Sequence, residues 1–306
     1  MKVAALDLGS NTTLMLIAEI ESSRITKIYR DEITVTRMGQ GVHANRTLHP
    51  EALERMDECL KRYSDILKKE KPDRVLAMAT SAARDVSNAE KLFAIGKKYE
   101  IPIEIIPGER EAQITFDGAV FERPRKEGIG VIDVGGGSTE VIAYSKKQAR
   151  VVGASVNVGS VRLTELFVTK YPTPRSEVEK ILEYSKQKFS EMANDLPSEP
   201  IEEVIAVAGT PTNLAAVLMN EKFNEEKVNG FKISADTLEH WLYKLADMSL
   251  EERMHLTGMD PRRADVIVAG SAVLLTALNF LKAKSMTVST RGVRYGVALY
   301  AAQRGH

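Results

Sequence analysis

Residues 7–13 read DLGSNTT and residues 133–139 read DVGGGST, and these two stretches decide the fold. When they are aligned without a gap, the Asp, the Gly and the final Thr coincide. Apolar residues precede and follow each stretch, so each copy predicts a hairpin whose turn is made of small residues. The match therefore predicts an internal duplication of one structural unit.

The pattern on either side of these stretches predicts one mixed-sheet α/β domain in each half of the chain. In the first half, strands are predicted at 3–8, 14–20, 25–35, 75–79 and 103–106, and helices from Pro50 and at 88–99 and 109–121. In the second half, strands are predicted at 129–134, 140–144, 149–158, 203–208 and 286–289, and helices at 160–169, 174–194, after Pro211, over 234–283 with breaks, and at 292–302. The polar segment 122–128 (ERPRKEG) places a boundary between domains 1–124 and 125–306.

Composition excludes several classes of protein. The chain has 306 residues, of which 43% are apolar and 27% charged, which excludes fibrous and wholly disordered proteins. Lys plus Arg and Asp plus Glu number 42 each, so no net charge attracts DNA, RNA or an anionic membrane. No stretch reaches the roughly 18 apolar residues of a membrane span, and the N-terminus lacks a signal-peptide pattern. We therefore expect a cytoplasmic protein without a nucleic-acid or membrane partner.

The cysteine and histidine content limits metal chemistry. Cys59 is the single cysteine, which excludes internal disulfides and cysteine-based metal clusters, and its helical neighbours Met56 and Leu60 predict that it packs in a core. The five histidines form no close pair, so we expect no zinc or di-iron site.

The two turns have the composition of anion-binding loops. Small residues allow backbone N–H groups to approach an anion closely, and three consecutive glycines are more permissive than an ordinary hairpin requires. An ordinary hairpin turn is the alternative interpretation for both. Neither loop matches the Walker P-loop or the dinucleotide fingerprint.

Five motifs in this order give the whole chain a family resemblance. They are DLGSNTT from residue 7, PGEREA at 107–112, VIDVGGGSTE at 131–140, AGTPTNLAA at 208–216 and RGVRYG at 291–296. The chain resembles the exopolyphosphatase and guanosine pentaphosphate phosphohydrolase (Ppx/GppA) family of the actin-like ATPase superfamily. The resemblance implies two ribonuclease-H-like (actin-like) domains with mixed sheets flanking an interdomain cleft. It also implies a C-terminal helix, about 292–306, that packs back on the first domain, and a homodimer.

The resemblance assigns roles to individual residues. Glu111 matches the acid that activates water, although Glu109 and Glu111 could instead be favourable charges at a helix N-terminus. The predicted phosphate-binding residues are Gly9, Ser10, Asn11, Thr12, Arg84, Gly135, Gly136, Gly137, Ser138, Thr139, Gly209 and Thr210. Asp133, Glu140 and Asp7 are predicted ligands of Mg²⁺, or of another divalent cation, because these hard oxygen donors flank the two loops. The alternatives are that each Asp caps its turn and that Glu140 is an exposed strand residue.

Some assignments have open alternatives. Arg84 could pair with Asp85, and Thr210 could be a helix N-cap before Pro211. Arg110 stands where the family commonly has an acid, which predicts a more positive field near Glu111. Arg294 is a further candidate anion contact without an assigned role.

The predicted function is removal of terminal orthophosphate from inorganic polyphosphate, or hydrolysis of pppGpp to ppGpp. Basic clusters at 123–126, 262–263 and 282–284 are candidates for holding a polyphosphate chain, or are solvated faces. The alternatives are an actin-like kinase or ATPase, and a non-catalytic sensor of polyphosphate or a guanosine alarmone.

Overall fold

The computed structural model of the protein describes residues 1–84, 86–123, 127–196 and 200–304. The strands are β1 (Lys2–Leu8), β2 (Thr12–Glu21), β3 (Arg24–Val35), β4 (Arg74–Ala79), β5 (Ile103–Ile105), β6 (Ile129–Val134), β7 (Thr139–Ser145), β8 (Arg150–Val156), β9 (Glu203–Val207), β10 (Lys232–Ser234) and β11 (Ser285–Val288). The α-helices are α1 (Val42–Asn45), α2 (Pro50–Glu70), α3 (Ser81–Arg84), α4 (Glu90–Lys98), α5 (Gly108–Val120), α6 (Ser160–Phe167), α7 (Arg175–Glu191), α8 (Gly209–Met219), α9 (Glu225–Val228), α10 (Ala235–Ala246), α11 (Leu250–His255), α12 (Ile267–Phe280) and α13 (Val293–Gln303).

The chain divides into two compact units. Unit 1 comprises the chain up to residue 124 together with the segment from Val293 onward, and unit 2 runs from residue 125 to Gly292. Of the predicted boundary segment 122–128, residues 124–126 lie outside the described residues. Helix α13 therefore belongs to unit 1, although it follows the last strand of unit 2.

The two units repeat one sheet topology. Unit 1 has the strand order β3-β2-β1-β4-β5, and unit 2 has the order β8-β7-β6-β9-β11 with β10 added at the edge. In both, the first two neighbours are antiparallel and the next two are parallel. The hairpins also share one register, because Leu8 pairs with Thr13 and Val134 pairs with Thr139. The predicted internal repeat is confirmed in strand order, direction and register.

The sheet of unit 1 is covered on both faces. Successive residues of a strand point to opposite faces, and in β1 Ala4, Leu6 and Leu8 pack with α2 and α4, whereas Val3 and Ala5 pack with α5 and α13. This explains why β1 is an uninterrupted apolar run rather than an alternating one. The predicted buried position of Cys59 is confirmed, and desolvation raises the pKa of its thiol.

One face of the unit 2 sheet packs against a helical layer centred on α12. Helix α12 is apolar around its circumference, and Ile267–Leu278 are all buried, as expected for a helix enclosed by other helices. The predicted region 234–283 divides into α10, α11 and α12. Fully buried Arg253 links α11 to α10, because its guanidinium donates to the carbonyl oxygen of Leu245 at 2.7 Å, at the C-terminal end of α10. Burial lowers the pKa of Arg253 to about 10, so it stays protonated at neutral pH.

The structure adds short elements that periodicity did not predict, namely α1, α3, α9 and β10, each of three or four residues. Among the described residues, no helix has the length and apolar character needed to cross a membrane.

Candidate active site

In unit 1, three predicted site elements follow neighbouring strands. Loop A (residues 9–12) follows β1, α3 follows β4, and α5 begins three residues after β5. Because β1, β4 and β5 are parallel neighbours, these three elements start at the same edge of the sheet. Ligands of open α/β sheets bind at this carboxyl edge.

The backbone of loop A is oriented by the segment after β3. The N–H of Gly39 donates to the carbonyl oxygen of Ser10 at 2.7 Å, and the N–H groups of Thr36 and Arg37 donate to that of Asn11 at 3.1 and 2.9 Å. The carbonyl groups of Ser10 and Asn11 are thereby held toward the segment after β3. Among the described residues, the N–H groups of Ser10 and Asn11 meet no acceptor, and neither does the buried Nδ2 of Asn11. Such a group of unengaged donors suits an anion.

Glu111 lies in the first turn of α5 and is 5% exposed. Arg84, the last residue of α3, donates from Nη1 to Oε2 of Glu111 at 2.6 Å and to the carbonyl oxygen of Ile106 at 2.8 Å. Within the described chain, Nε and Nη2 of Arg84 have no acceptor, so two donors remain for a ligand. Asp85, the alternative partner for Arg84, lies outside the described residues.

A hydrogen bond connects this ion pair to loop A. The hydroxyl groups of Ser10 and Ser81 are 3.0 Å apart, and both residues are buried. Ser81 begins α3 and Arg84 ends it, so a single helical turn separates the loop from the Arg84–Glu111 pair. Unit 1 therefore brings loop A, Arg84 and Glu111 together.

The side chain of Arg110 contacts the last helix of the chain. Its side chain is exposed, and its guanidinium lies over the ring of Tyr300 in α13, 5.4 Å from the ring centroid. The departure from the family pattern thus corresponds to a contact between α5 and α13.

Loop B (residues 135–139) of unit 2 has the same construction as loop A. The N–H of Gly135 donates to the carbonyl oxygen of Ser138 at 3.0 Å, as that of Gly9 does to Thr12 at 3.0 Å. Here the first turn of α6 engages the loop carbonyls, because the N–H groups of Ser160 and Val161 donate to the first two glycines, at 2.9 Å each.

Gly159, the residue before α6, makes this contact possible. A Cβ at this position would lie 2.5 Å from the carbonyl carbon and oxygen of Gly136. Arg162 completes the support by donating from Nε to the carbonyl oxygen of Gly137 at 2.8 Å. In the described part of unit 2, the N–H groups of Gly136 and Gly137 have no acceptor. Gly159 and Arg162 could not be predicted from the sequence, because no local pattern connects them to the loop.

Asp133 and Glu140 lie side by side beneath loop B. They are directly paired across β6 and β7, and residues paired in this way point to the same face. Both are buried, with 6% and 1% of their surface exposed, and Oε1 of Glu140 accepts a hydrogen bond from Oγ of Ser155 at 2.6 Å. Two adjacent carboxylates are a donor set that fits a hard divalent cation.

Asp7 has no such neighbour in unit 1, because the residue paired with it on β2 is Leu14. Among the described residues, no group of three or more His, Cys, Asp or Glu side chains could hold a metal ion. A cation at Asp133 and Glu140 would therefore need further ligands from substrate or water.

Gly209 and Thr210 form the first turn of α8, directly after β9. The proposed N-cap role of Thr210 is wrong, because the helix begins at Gly209 and its N-cap is Ala208, with a φ of 76°. The guanidinium of Arg263 fills the space that a side chain at 209 would need, and desolvation lowers the pKa of Arg263.

The basic clusters separate into different environments. Arg262 forms an ion pair with Asp260 at 2.8 Å. Its neighbour Arg263 packs against Gly209 at the start of α8. Lys282 and Lys284 are exposed. In the cluster at 123–126, only Arg123 is among the described residues.

Arg294, the further candidate anion contact, is bound to a carboxylate of unit 1. Its Nε and Nη2 donate to the two carboxylate oxygens of Asp31 in β3, at 2.8 Å each. The hydroxyl of Tyr295 donates to the same carboxylate at 3.3 Å. These contacts anchor α13 to the sheet of unit 1.

Two units with this repeated strand order, each with a small-residue hairpin after its first strand, define a protein of the actin-like ATPase fold. The model of the Ppx/GppA phosphatase family matches residues 16–304, and the chain belongs to that family. The predicted family, the two actin-like domains with mixed sheets and the enzyme class, a phosphoanhydride hydrolase, are confirmed.

Three similar proteins place the chain within the family. Exopolyphosphatase 2 of Mycobacterium tuberculosis is 31% identical, over 97% of this chain and 98% of that protein. The bifunctional 3-dehydroquinate synthase/phosphatase of Fusobacterium nucleatum subsp. nucleatum is also 31% identical over 97% of this chain, which spans only 46% of that relative. The crystal structure of an exopolyphosphatase from Cytophaga hutchinsonii has a TM-score of 0.87 and 27% identity, over 99% of this chain and 97% of that one.

Proposed function

We propose that this protein releases orthophosphate from the end of inorganic polyphosphate, with Glu111 as the base that orients and deprotonates water. The observation that carries the proposal is the buried Glu111, bridged at 2.6 Å to Arg84, one helical turn from loop A. The relative named exopolyphosphatase 2 supports polyphosphate as the substrate. Guanosine pentaphosphate has the same terminal chemistry and is the second substrate to test.

The reaction follows from the groups around Glu111. The oxygen of water forms a bond to the terminal phosphorus as the bond from that phosphorus to the bridging oxygen breaks, and Glu111 accepts the proton of water. The shortened polyphosphate leaves with the bridging oxygen. The unengaged donors of Arg84 are suited to phosphate oxygens, because a guanidinium pairs with them in bidentate geometry.

Each of the two loops provides uncharged donors that are suited to phosphate oxygens. In each loop, carbonyl oxygens accept hydrogen bonds from N–H groups of a neighbouring segment. The N–H groups of Ser10, Asn11, Gly136 and Gly137 are therefore available to phosphate oxygens. These donors are oriented before substrate binds, so little reorganisation is needed.

Asp133 and Glu140 would hold Mg²⁺, because they are neighbouring carboxylates on one face of the β6–β7 hairpin. A bound divalent cation supplies charge neutralisation for the phosphate oxygens. A homodimer and a cytoplasmic location stay predictions.

The test measures orthophosphate release from long-chain polyphosphate and from pppGpp in parallel, with Mg²⁺ and with EDTA. We expect release from polyphosphate that EDTA abolishes, and the ratio of the two rates identifies the preferred substrate. Binding of polyphosphate without release by a folded protein would contradict the proposal and favour a sensor. Release only when ATP and an acceptor are present would favour a kinase.

Replacing Gly159 with alanine should disturb loop B. The added methyl group meets the backbone of Gly136, which cannot move aside as a flexible side chain does. We expect the KM for polyphosphate to rise about tenfold, equivalent to about 1.4 kcal/mol of lost binding.

The control for this variant is Gly130→Ala, at the start of β6. The three atoms nearest to its Cβ would be side-chain atoms of Ile201, the nearest at 2.9 Å. We expect wild-type kinetics from this control. Wild-type KM in a folded Gly159→Ala protein would remove loop B from substrate binding.

A further inference from the structure

Helix α13 lies antiparallel to α5, and their contacts include one near each end of α5 and one between them. Near the start of α5, Arg110 lies over the ring of Tyr300. One turn later, Gly296 lies against the backbone carbonyl of Ile114. Just beyond the end of α5, Phe121 stacks on Tyr295, with ring centroids 6.1 Å apart and an interplanar angle of 20°.

The middle contact is the closest one. A methyl group at position 296 would overlap the carbonyl oxygen of Ile114, and it would also lie 2.9 Å from Cγ2 of that residue. The obstacle includes helix backbone, which moves only if the whole of α5 or α13 moves. Glycine is therefore required here by the helix–helix distance, and not by its own backbone conformation.

Helix α13 is itself fixed to the sheet. Arg294 is bound through two 2.8 Å hydrogen bonds to Asp31 of β3, and Arg74 of β4 donates from Nη1 to the carbonyl oxygen of Ala301 at 2.5 Å. Bidentate pairs of this kind constrain orientation as well as distance. Because α13 cannot shift easily, a side chain at position 296 would displace α5.

Glu111 lies on α5 between the first two contacts. Its carboxylate is 2.6 Å from Arg84, which reaches the same sheet through α3 and β4. The carboxylate is thus fixed from two directions, through Arg84 on one side and through α13 on the other. A helix shift of about 1 Å is enough to cost a reaction up to about a hundredfold.

We infer that Gly296 is a positioning residue for catalysis, which sets the place of α5 and thereby of the Glu111 carboxylate. The inference rests on the proposed role of Glu111 as the base. It gives a role to the motif RGVRYG: Arg294 anchors α13, Tyr295 holds the end of α5, and Gly296 sets the distance between the helices.

The test is Gly296→Ala, assayed for kcat and KM on polyphosphate. We expect kcat to fall about tenfold to thirtyfold with KM changed less than about threefold, because the base moves and the loops do not. In a Glu111→Gln background, the same substitution should lower the residual rate by less than about twofold, since the base it positions is gone.

The matched control is Val297→Ala, the next residue of α13, which is fully buried in the same core. This substitution leaves a cavity beside α13, which weakens the packing of the helix, but it adds no atom that would displace α5. We expect its kcat to stay within about twofold of wild type. Equal losses of kcat in the two variants, or a wild-type kcat in folded Gly296→Ala, would overturn the inference.

Amide hydrogen exchange separates this inference from the proposed function. We expect the amides of α5 to exchange about tenfold faster in Gly296→Ala than in Val297→Ala. If the wild-type protein released no orthophosphate, the proposed function would be wrong. If the amides of α5 exchanged at the same rate in Gly296→Ala and Val297→Ala, the inference that Gly296 positions α5 would be wrong, whatever the activity.

A milder variant covers the case in which Gly296→Ala does not fold. Tyr300→Leu removes the ring under Arg110 at the first turn of α5. We expect about threefold lower kcat, an unchanged KM and no further effect in the Glu111→Gln background. A wild-type kcat in Tyr300→Leu would then count against the inference.

Discussion

Glu111→Gln is expected to lower the rate of orthophosphate release by about a hundredfold or more, the lower range for removal of a general base. Glutamine has nearly the same shape but cannot accept the proton of the attacking water. It retains an oxygen that can accept from Arg84, so the contact seen at 2.6 Å is conserved in kind. The measurement is kcat on polyphosphate, with thermal unfolding recorded in parallel.

The free energy of unfolding of Glu111→Gln should change much less than its activation free energy. Arg84 keeps its hydrogen bond to the carbonyl oxygen of Ile106, and we expect a loss of no more than about 1–2 kcal/mol from the weakened ion pair. A drop in activity without unfolding then identifies a chemical role rather than a structural one.

The control is Glu109→Gln, two residues earlier in the same turn of α5. Glu109 is exposed, and its charge has the same favourable relation to the helix N-terminus as that of Glu111. We expect activity within about twofold of wild type. If both variants behaved alike, acidity in the first turn would be only a helix-stabilising feature, and Glu111 would leave the mechanism.

The hairpins could be predicted from sequence because their determinants are local. Small residues after Asp7 and Asp133 specify the turns, and the apolar runs on either side specify the strands. The register follows from the turns, which explains why two stretches that align without a gap have equivalent strand pairing in the structure.

The environment of Glu111 could not be predicted in the same way. Its partner Arg84 is 27 residues earlier in the chain, and they meet because β4 and β5 are parallel neighbours. Periodicity does not detect a four-residue helix such as α3, and a first-turn acid has the same pattern whether exposed or buried. Only the family motif distinguished Glu111 from Glu109.

The groups that pack against Gly209 and Gly296 also could not be predicted from the sequence. Gly209 accommodates the guanidinium of Arg263, 54 residues later, and Gly296 accommodates the carbonyl of Ile114. A glycine in a helix reads locally as a weak helix former, and the group that occupies the space comes from a distant segment. The same limitation applied to Arg294, whose partner Asp31 lies on β3.

The hairpins of the two units differ in the residue that is paired with the aspartate at the end of the first strand. Asp133 is paired with a carboxylate, Glu140, whereas Asp7 is paired with Leu14. The duplicated hairpin therefore has a two-carboxylate donor set only in unit 2. We therefore propose that the divalent cation of the reaction binds there.

Asp133→Asn is expected to lower kcat at fixed Mg²⁺ by about a hundredfold and to raise the Mg²⁺ concentration for half-maximal activity about tenfold or more. The amide keeps the size of the side chain but removes a negative ligand, and hard cations bind charged oxygen most strongly. Titration with Mg²⁺ at saturating polyphosphate measures both quantities.

Stability should change in the opposite direction to activity. Two carboxylates paired across neighbouring strands repel each other when both are ionised, so an amide at position 133 removes that repulsion in a metal-free protein. We therefore expect Asp133→Asn in EDTA to unfold at the wild-type temperature or above, as is common when a strained functional site is neutralised.

Ser155→Ala is the control, because it removes the 2.6 Å hydrogen bond to Glu140 and leaves both carboxylates in place. Losing one such bond to a charged group costs about 1.5–3 kcal/mol in stability, but it removes no metal ligand. We expect only a few-fold change in the Mg²⁺ requirement. If Asp133→Asn and wild type needed the same Mg²⁺ concentration, the cation would not bind at the β6–β7 hairpin, and the paired carboxylates would need another explanation.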